Sequence, residues 1–523
     1  MADLKSAQTV YQAFIGQQDR LLKLTGPLGD ETFLPQRVIA HERLGRGYEY
    51  TIDVISVRSD VELKKLVAQP VTLWVKQANR SYLPINGYVH TAKRLGSDGG
   101  LTFCQIAFAP WLYFLKFRKD ARVWQDKKAD DILAEVFSAH PQARGNFRFD
   151  LTEPVSRRSY CTQYETDWNF VHRLMEDEGW YSYHEQNADG TAHVLVVTDA
   201  THHLRPVVPQ QIHFHRGSTE DELHSIVHWS ANRTLKSSQL TLRTNDYKAP
   251  AYQKQSNTAV LAEHGRLPSQ LEIYEYTGAY TYSRQEQGDK QSRIRVEEWE
   301  SSIKRFYGVS GVRSLPVGRW FTLEGHPAHQ VETEEGRRFM VVAVEWSIEN
   351  NLSLANSARE FPGSLVAQTE AFKSGIGRDI GLGQPGSGES TRNGSNGHCF
   401  NRFEVQRRIV PFRSPLIHIK PELHPQTAIV VGPPGEEVHT DYLNRVKVQF
   451  RWDRQNPGDE RASCWVRVSY PNAGQGWGGI SVPRVGQEVI VTFLGGDPDR
   501  PVVTSRLYNV SSGCKLIQAA IEN

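Results

Sequence analysis

Short runs of alternating apolar and polar residues fill the stretch from 443 to 509, and this pattern most constrains the fold. In RVKVQF, Val446, Val448 and Phe450 point to one face, and the polar residues between them point to the other. The runs SCWVRVSY, GQEVIVTFL and RPVVTSRLYN repeat the alternation, with Gly, Pro and Asp between them. Period-two alternation bounded by turn residues predicts strands. About five strands in so short a stretch predict a small antiparallel barrel.

The rest of the chain is mainly strand-like, with three predicted helices. Alternation predicts strands in YEYTIDVISV (48–57), VTLWVKQ (71–77), GWYSYHE (179–185), AHVLVVTD (192–199), WFTLEG (320–325) and RFMVVAVEWSIE (338–349), and GSDGG (96–100) suggests a hairpin. One-face apolar spacing predicts helices over 129–139, 167–178 and 286–307. We therefore predict a mainly β protein with minor α, whose last barrel is of the OB type.

The second predicted helix has the clearest end signals. Thr166 or Asp167 suits its N-cap, and Gly179 stands where a helix should stop. The buried stripe of this helix is Phe170, Val171, Leu174 and Met175, and that of the third helix is Ile294, Trp299, Ile303 and Phe306.

The stretch 374–397 is rich in Gly and Ser, and a Pro-rich stretch covers 410–435. Such segments cannot bury an apolar core of their own. The sequence therefore predicts a body over 1–375, a flexible connector over 376–435, the OB barrel over 436–509 and a short tail over 510–523.

Composition excludes several classes of protein. The chain has 61 Lys+Arg against 59 Asp+Glu, a net charge of +2, whereas nucleic-acid binders need a cationic surplus. No apolar run approaches the ~20 residues of a membrane helix, and MADLKSAQTVYQAFIG lacks the pattern of a signal peptide. The five cysteines form no CxxC and predict free thiols: Cys104, Cys161, Cys399, Cys464 and Cys514.

Two glycine patterns, GLGQPG (381–386) and GQGWGG (474–479), match GxGxxG. A dinucleotide site needs a strand before the glycines and a helix after them. The first match lies in the Gly/Ser stretch and the second precedes a strand-like run with a proline, so both are predicted to be loops. No GxSxG elbow and no GxxxxGK[ST] loop occurs.

Two clusters offer enzyme chemistry. The first is a group of six histidines between residues 202 and 228, whose spacing could suit zinc. The motif HExxH is missing, so we predict that these histidines are partly exposed strand residues and not metal ligands. The acidic run Glu176–Asp177–Glu178 does not converge on one point, because consecutive helical residues point in different directions, so we predict a solvated helix end. The histidines are His202, His203, His213, His215, His224 and His228.

The last barrel mixes basic and aromatic residues, as single-strand binders do. Arg445, Lys447, Arg451 and Arg454 lie near tryptophans in sequence. Residues 441–500 nevertheless hold eight Lys+Arg against seven Asp+Glu, a net of +1. This surplus is too small for a groove that follows phosphates, which disfavours nucleic-acid binding.

The same block carries a recognisable signature: DYLNRVKVQFRWDR (441–454) followed by SCWVRVSYPNAGQGWGGISVPRVGQEVIVTFLGGDPDRPVVTSRLYN (463–509). It resembles the valine–glycine repeat protein G (VgrG) family, the spike proteins of type VI secretion. Upstream segments agree with the family: APWLYFLKFRKDARVWQDKKADDILAEVF (109–137), RSYCTQYETDWNFVHRLMEDEGWYSYHE (158–185) and PQTAIVVGPPGEEVHTD (425–441). The resemblance covers nearly all of residues 1–509.

This resemblance implies a mechanical part related to the hubs of contractile phage tails. It implies two tube-like β domains with inserted α/β subdomains, then the OB barrel, in a homotrimer on a hexameric tube of haemolysin-coregulated protein. Baseplate components and effectors or adaptors are the other implied partners. It also implies assembly in the bacterial cytoplasm and export by the machine without a signal peptide, with no catalytic residue, no cofactor and no metal. A contractile phage tail hub is the alternative; a metal-dependent hydrolase and an OB-type single-strand binder are distant ones.

The residues singled out in the OB barrel are predicted to be structural. The glycines permit tight turns, Asp-Pro-Asp fixes a turn, and the last proline can begin a strand. The arginine is expected to pair with one of the two aspartates. The residues are Gly486, Gly495, Gly496, Asp497, Pro498, Asp499, Arg500 and Pro501.

The sequence departs from the family at two places. After Asn509 come only fourteen residues, VSSGCKLIQAAIEN, without a valine–glycine repeat. We therefore expect the C-terminal β-prism needle to be absent, either because the chain is a shortened form or because its gene lost the needle. Asn444 stands where the family usually has glycine.

Overall fold

Strands dominate the computed structural model and confirm the predicted mainly β class. The structure describes residues 20–30, 32–98, 101–215, 225–251, 253–265, 267–282, 284–352, 361–379 and 397–509. The first thirteen strands are β1 (Leu22–Thr25), β2 (Leu34–Arg43), β3 (Gly47–Ser56), β4 (Pro70–Lys76), β5 (Tyr82–Asp98), β6 (Leu101–Ala109), β7 (Lys119–Trp124), β8 (Lys127–Lys128), β9 (Phe147–Asp150), β10 (Arg157–Arg158), β11 (Cys161–Thr166), β12 (Tyr181–Gln186) and β13 (His193–Thr198).

The later strands include the large sheet's second half and the last barrel. They are β14 (Pro206–His213), β15 (Ile226–Arg233), β16 (Gln239–Asn245), β17 (Gln253–Ala259), β18 (Glu272–Ala279), β19 (Lys304–Ser310), β20 (Trp320–Glu324), β21 (Arg338–Glu349), β22 (His398–Arg407), β23 (Gln426–Val431), β24 (Lys447–Phe450), β25 (Arg467–Val468), β26 (Ala473–Gly474), β27 (Trp477–Gly478), β28 (Glu488–Phe493) and β29 (Pro501–Leu507). The α-helices are α1 (Ala129–Ser138), α2 (Asp167–Glu178), α3 (Gln285–Ile303) and α4 (Val366–Asp379).

Twelve strands form one sheet that curls into two barrels joined by β21. The start of β21 pairs with β20, its end pairs with β2, and its other edge pairs with β22. The second barrel runs β21–β22–β19–β15, then closes through β14 and β20, because a bridge between Phe214 and Ile226 joins β14 to β15. These barrels match the two expected tube-like domains.

The first barrel runs β2–β3–β6–β5–β4–β1, and one side chain spans its remaining gap. The Asn350 amide donates to the carbonyl oxygens of Leu22 on β1 and Pro35 on β2, and its oxygen accepts the N–H of Leu22. A buried side chain can satisfy backbone groups that a missing strand would otherwise pair. Asn350 therefore stands in for a main-chain ladder between β1 and β2.

Two smaller units are inserted between strands of the barrels. The first packs α1 and α2 against β7, β11 and the sheet β12–β13–β9, around a core that includes Trp111, Phe137, Phe170 and Trp180. The second packs α3 on the sheet β17–β16–β18. The first insert lies next to the last barrel, since Val123 and Tyr160 share that barrel's apolar core.

The last five-stranded sheet is a closed OB barrel. Its strands pair in the order β24–β23–β28–β29–β25, and reciprocal backbone bonds between Val446 and Val466 join the two ends. The strands β25 and β29 run parallel, as this topology requires. Val446, Val448 and Phe450 all point into its core, as the alternation predicted.

The helix predictions are confirmed except at one end. Thr166 caps α2 by accepting the N–H of Asn169, and Gly179 ends the helix in the left-handed conformation. The third helix was predicted to reach residue 307, but it stops at Ile303, and Phe306 lies on β19. Pairing of β19 with β15 on one side and β22 on the other outweighs the helical spacing there.

The prediction of a flexible connector over 376–435 is wrong in two places. β22 is an interior strand of the large sheet, and alternate residues Cys399, Asn401, Phe403 and Val405 are buried. β23 belongs to the OB barrel, which therefore begins before residue 436. Helix α4 reaches Asp379, into the stretch predicted to be mobile; residues 380–396 lie outside the described residues, as do 510–523.

Asn444 adopts a left-handed backbone with φ of 54°, which explains why this position tolerates Asn or Gly. A β-branched residue in this conformation costs about 1–2 kcal/mol. We expect Asn444→Val to lower the free energy of unfolding of the barrel by that amount in urea denaturation, and Asn444→Gly to leave it nearly unchanged. Ser505→Val, on an exposed strand position, is the control; equal losses for Val at both positions would contradict the backbone explanation.

Candidate functional site at the barrel junction

The predicted turn Asp497–Pro498–Asp499 lies at the junction between the OB barrel and the α/β insert. The Asp499 carboxylate is buried, 6% exposed, and accepts the N–H of Thr162 at 2.6 Å. The Thr162 hydroxyl donates to the carbonyl oxygen of Pro498 at 3.0 Å. Thr162 lies on β11, so this turn fastens the barrel to the insert.

The connecting peptide, residues 408–425, joins β22 of the second barrel to β23 of the OB barrel. A lysine of this peptide completes the contact. Lys420 Nζ donates to Asp499 at 2.8 Å and to Asp497 at 3.1 Å. Burial alone would raise the pKa of Asp499, but the positive charges of Lys420 and Arg173 outweigh it and the pKa is lowered. The ionised form of Asp499 is therefore the one that the junction stabilises.

The other residues singled out around this turn occupy special backbone positions. Gly486, Gly495 and Gly496 have φ of 88°, 64° and 76°, the left-handed region that glycine adopts without strain. The Arg500 Nε atom lies 3.8 Å from the Asp497 carboxylate, and its guanidinium stands over the Tyr280 ring. Pro501 is the first residue of β29.

Glu176 forms a second anchor for the connecting peptide, and this corrects the prediction of a solvated helix end. Its buried carboxylate pairs with Arg46 at 2.9 Å and accepts the N–H groups of Ile417 and His418, each at 3.1 Å. The His418 ring adds a contact of 2.6 Å. The connecting peptide lies over the last turn of α2 and supplies the donors that make a carboxylate tolerable there.

The other two acidic residues of that helix end behave differently. The Asp177 side chain is 44% exposed, as predicted, although it lies 3.5 Å from Arg158. Glu178 is only 11% exposed and pairs with the same arginine at 2.8 Å, so the prediction of a solvated end is wrong for it as well. Glu176 binds Arg46 and the connecting peptide instead, so the three carboxylates do not all meet at one point.

The anchored peptide presents an apolar strip to solvent, formed by Leu416, Ile417 and Ile419. Their exposed fractions are 47%, 60% and 81%. The backbone of this strip is held by the bonds to Glu176 described above and by Arg46, which donates to the carbonyl oxygen of Pro415 at 2.8 Å. Asn169 donates to that of Ile419 at 2.9 Å. The backbone of the strip is therefore fixed by polar contacts while its side chains point outward.

The predicted enzyme motifs do not assemble. Within the described ranges, no group of three or more His, Cys, Asp or Glu side chains could hold a metal ion. His202 and His203 lie on a short turn and His228 on β15, while His224 and the match at 381–386 lie outside the described residues. The match at 474–479 forms the short hairpin β26–β27, with no helix after it.

The structure describes no helix long and apolar enough to span a membrane. The four described cysteines are free thiols, as predicted, and Cys514 lies outside the described residues.

Comparisons with known proteins agree with this architecture. A family model of the phage tail baseplate hub (GPD) matches residues 41–352, and one of the type VI secretion system/phage-baseplate injector OB domain matches 435–508. Two Pseudomonas aeruginosa spike proteins of type VI secretion are similar over most of this chain. VgrG1b is 31% identical over 95% of the chain, and VgrG1a is 30% identical over 94%. The chain spans 61% and 70% of their lengths.

Solved structures show the same fold at lower identity. An Escherichia coli type VI secretion component, c3393, described as structurally similar to the phage T4 tail proteins gp27 and gp5, superposes with a TM-score of 0.60 at 16% identity. That match covers 93% of this chain and 99% of c3393. The lidded Francisella PdpA–VgrG complex gives 0.57 at 7% identity, over 97% of this chain and 73% of that one.

Two joined barrels followed by an OB barrel define the baseplate-hub class of contractile injection machines. Within that class, this chain belongs to the VgrG family of type VI secretion spike proteins.

Breaking the Glu176 anchor should loosen the connecting peptide. Glu176→Gln leaves the half-buried Arg46 without its charged partner. Breaking a fully buried pair typically costs about 3–5 kcal/mol, which is the upper limit here. We expect the variant to lose stability within that limit and to be cleaved faster by protease between residues 410 and 420. Glu286→Gln, the same change at an exposed position of α3, is the matched control and should behave like the unmodified chain; similar cleavage of both variants would rule out the anchor.

The Asp499 contact should weaken in acid. Because its pKa is lower in the folded state, its stabilisation is complete above the ordinary aspartate pKa and is lost as pH falls through the folded-state pKa. The difference in unfolding free energy between the unmodified chain and Asp499→Asn should therefore be large at pH 7 and shrink below about pH 4. A difference that does not change with pH would contradict this assignment; Asp497→Asn, at a more exposed position, should cost less at pH 7.

Proposed function

We propose that this chain is a non-enzymatic hub and spike base of a type VI secretion machine, acting as a homotrimer. The observation that carries the proposal is the fixed apolar strip at the junction, Leu416, Ile417 and Ile419. Contiguous apolar groups that a protein holds rigidly in water are typical of interaction sites. A strip whose backbone is already anchored loses little conformational entropy when a neighbour covers it.

The two barrels support the next step of the proposal. Three copies of a chain with two similar barrels place six barrels around one axis, which suits a hexameric tube of haemolysin-coregulated protein. Because strand pairing runs almost all the way round each barrel, few open sheet edges remain at which a stacked assembly could pair incorrectly. The proposed trimer therefore caps the tube through its barrels and positions the OB barrel beyond them.

The remaining partners follow from the family. We propose baseplate components and effectors or adaptors as partners; the PdpA–VgrG complexes among the solved structures support the presence of further proteins on such a hub. Assembly takes place in the bacterial cytoplasm, and the contractile machine exports the protein. The hub of a contractile phage tail is the second candidate, because one of the matching family models describes phage baseplate hubs.

Polar substitutions in the strip should weaken the trimer. We expect Leu416→Ser, Ile417→Ser and Ile419→Ser together to shift the protein from trimer to monomer at micromolar concentration, because about three aliphatic side chains per interface would no longer be buried. The mass of the full chain, measured by light scattering after size exclusion, checks this prediction.

A matched control replaces three exposed aliphatic residues elsewhere: Leu235, Leu261 and Val331, also with Ser. This variant should remain a trimer. A monomeric unmodified chain would refute the proposed assembly, and a trimer unaffected by the strip variant would place the interface elsewhere.

A further inference from the structure

A cavity of about 140 Å³ lies inside one end of the first barrel. Its walls include Glu42 of β2, Tyr48 and Tyr50 of β3, Trp346 of β21 and Arg313 from the segment before β20. Mouths of β-barrels are common places for small-molecule sites. A dry cavity of about 150 Å³ is large enough to take benzene, so this one can hold a molecule of comparable size.

Glu42 is a half-buried carboxylate, and one of its two oxygens has few hydrogen-bond partners. Its Oε1 atom accepts the Tyr50 hydroxyl and the Trp346 indole N–H. Its Oε2 atom has only a long contact of 3.5 Å from the N–H of Val317. Burial raises the pKa of Glu42, and the groups that oppose this effect are neutral donors, not a nearby cation. A ligand that brought positive charge to Oε2 would remove much of that cost.

Arg313, on the same cavity wall, is a cationic side chain whose hydrogen-bonding capacity is only partly used. One terminal nitrogen donates to the carbonyl oxygen of Lys76 at 3.0 Å, and its Nε atom is buried with no hydrogen-bond partner. No acidic side chain of the described residues lies within ion-pair distance of it. A guanidinium in this position can donate several N–H groups to the oxygens of a carboxylate.

The two other arginines of the cavity wall already have acidic partners. Arg43 pairs with Glu404 at 3.1 Å and Arg319 with Glu185 at 3.7 Å. This leaves Glu42 without a cationic partner and Arg313 without an acidic partner among the described residues, and both line the same cavity without pairing with each other. A simple cation or anion would satisfy only one of them.

We propose that this cavity binds the zwitterion of a small apolar amino acid. Its ammonium group donates to Glu42 Oε2, its carboxylate accepts from Arg313, and its side chain lies against the rings of Tyr48 and Trp346. This proposal uses residues of one chain only and therefore does not rest on the proposed trimer.

Calorimetric titration of the full chain with three matched compounds tests the proposal. L-Valine carries both charges, isobutylamine lacks the carboxylate and isovalerate lacks the ammonium. We expect valine to bind at one site per chain and each of the others to bind at least about tenfold more weakly, because a hydrogen bond to a charged group is lost. No binding of valine, or isobutylamine or isovalerate binding as tightly as valine, would overturn the zwitterion site.

Three variants place the binding in this cavity. Glu42→Gln and Arg313→Gln should each weaken valine binding at least about tenfold. Arg461→Gln, an exposed arginine of the OB barrel that pairs with Asp459 and does not line the cavity, should leave it unchanged. Equal weakening by all three would show that binding does not depend on Glu42 and Arg313 and would contradict the assignment. If a variant does not fold, the comparison of the three compounds on the unmodified chain still decides.

Discussion

Two buried carboxylates, Glu176 and Asp499, fix the peptide that joins the barrels, and the relative position of those barrels depends on them. Each carboxylate receives backbone N–H groups as well as a cationic side chain. A buried ion pair contributes little net stability compared with an apolar pair, but it is costly to separate. Such contacts therefore favour one arrangement of the bodies over others more than they add to stability.

The polar anchors and the apolar strip are two results of one arrangement. Glu176, Arg46 and Asn169 bind the main chain of the connecting peptide next to the exposed strip. The strip's side chains stay outside the chain's own core, whereas Leu423, further along the same peptide, is buried in the core of the OB barrel. Polar groups hold the main chain of the peptide against α2, and the apolar side chains of the strip therefore remain exposed to solvent.

Local patterns predicted the elements better than their connections. The ends of α2 follow from Thr166 and Gly179, and the barrel strands follow from period-two alternation, because these signals lie within a few residues. The contact between Asp499 and Thr162 joins residues 337 apart, and no local spacing encodes it. The helix dipole predicted a solvated Glu176, because a carboxylate is unfavourable at the C-terminal end of a helix. Glu176 is buried because Arg46 and His418 contact it, and these residues are too distant in the chain to be inferred from the sequence of the helix.

The same limit explains the misplaced connector. A long Gly/Ser run made the residues around it seem unstructured, yet β22 is an interior strand because β21 and β19 offer it pairing edges on both sides. Strand formation in such a position depends on neighbours far away in the chain. The buried residues of His398–Arg407 alternate in the structure but include Asn401, so the apolar alternation in the sequence is weak. With β22 in place, β21 is paired along its full length, and the two barrels become one body. A rigid body of this kind is the condition under which contacts at a single junction can fix the direction of the OB barrel.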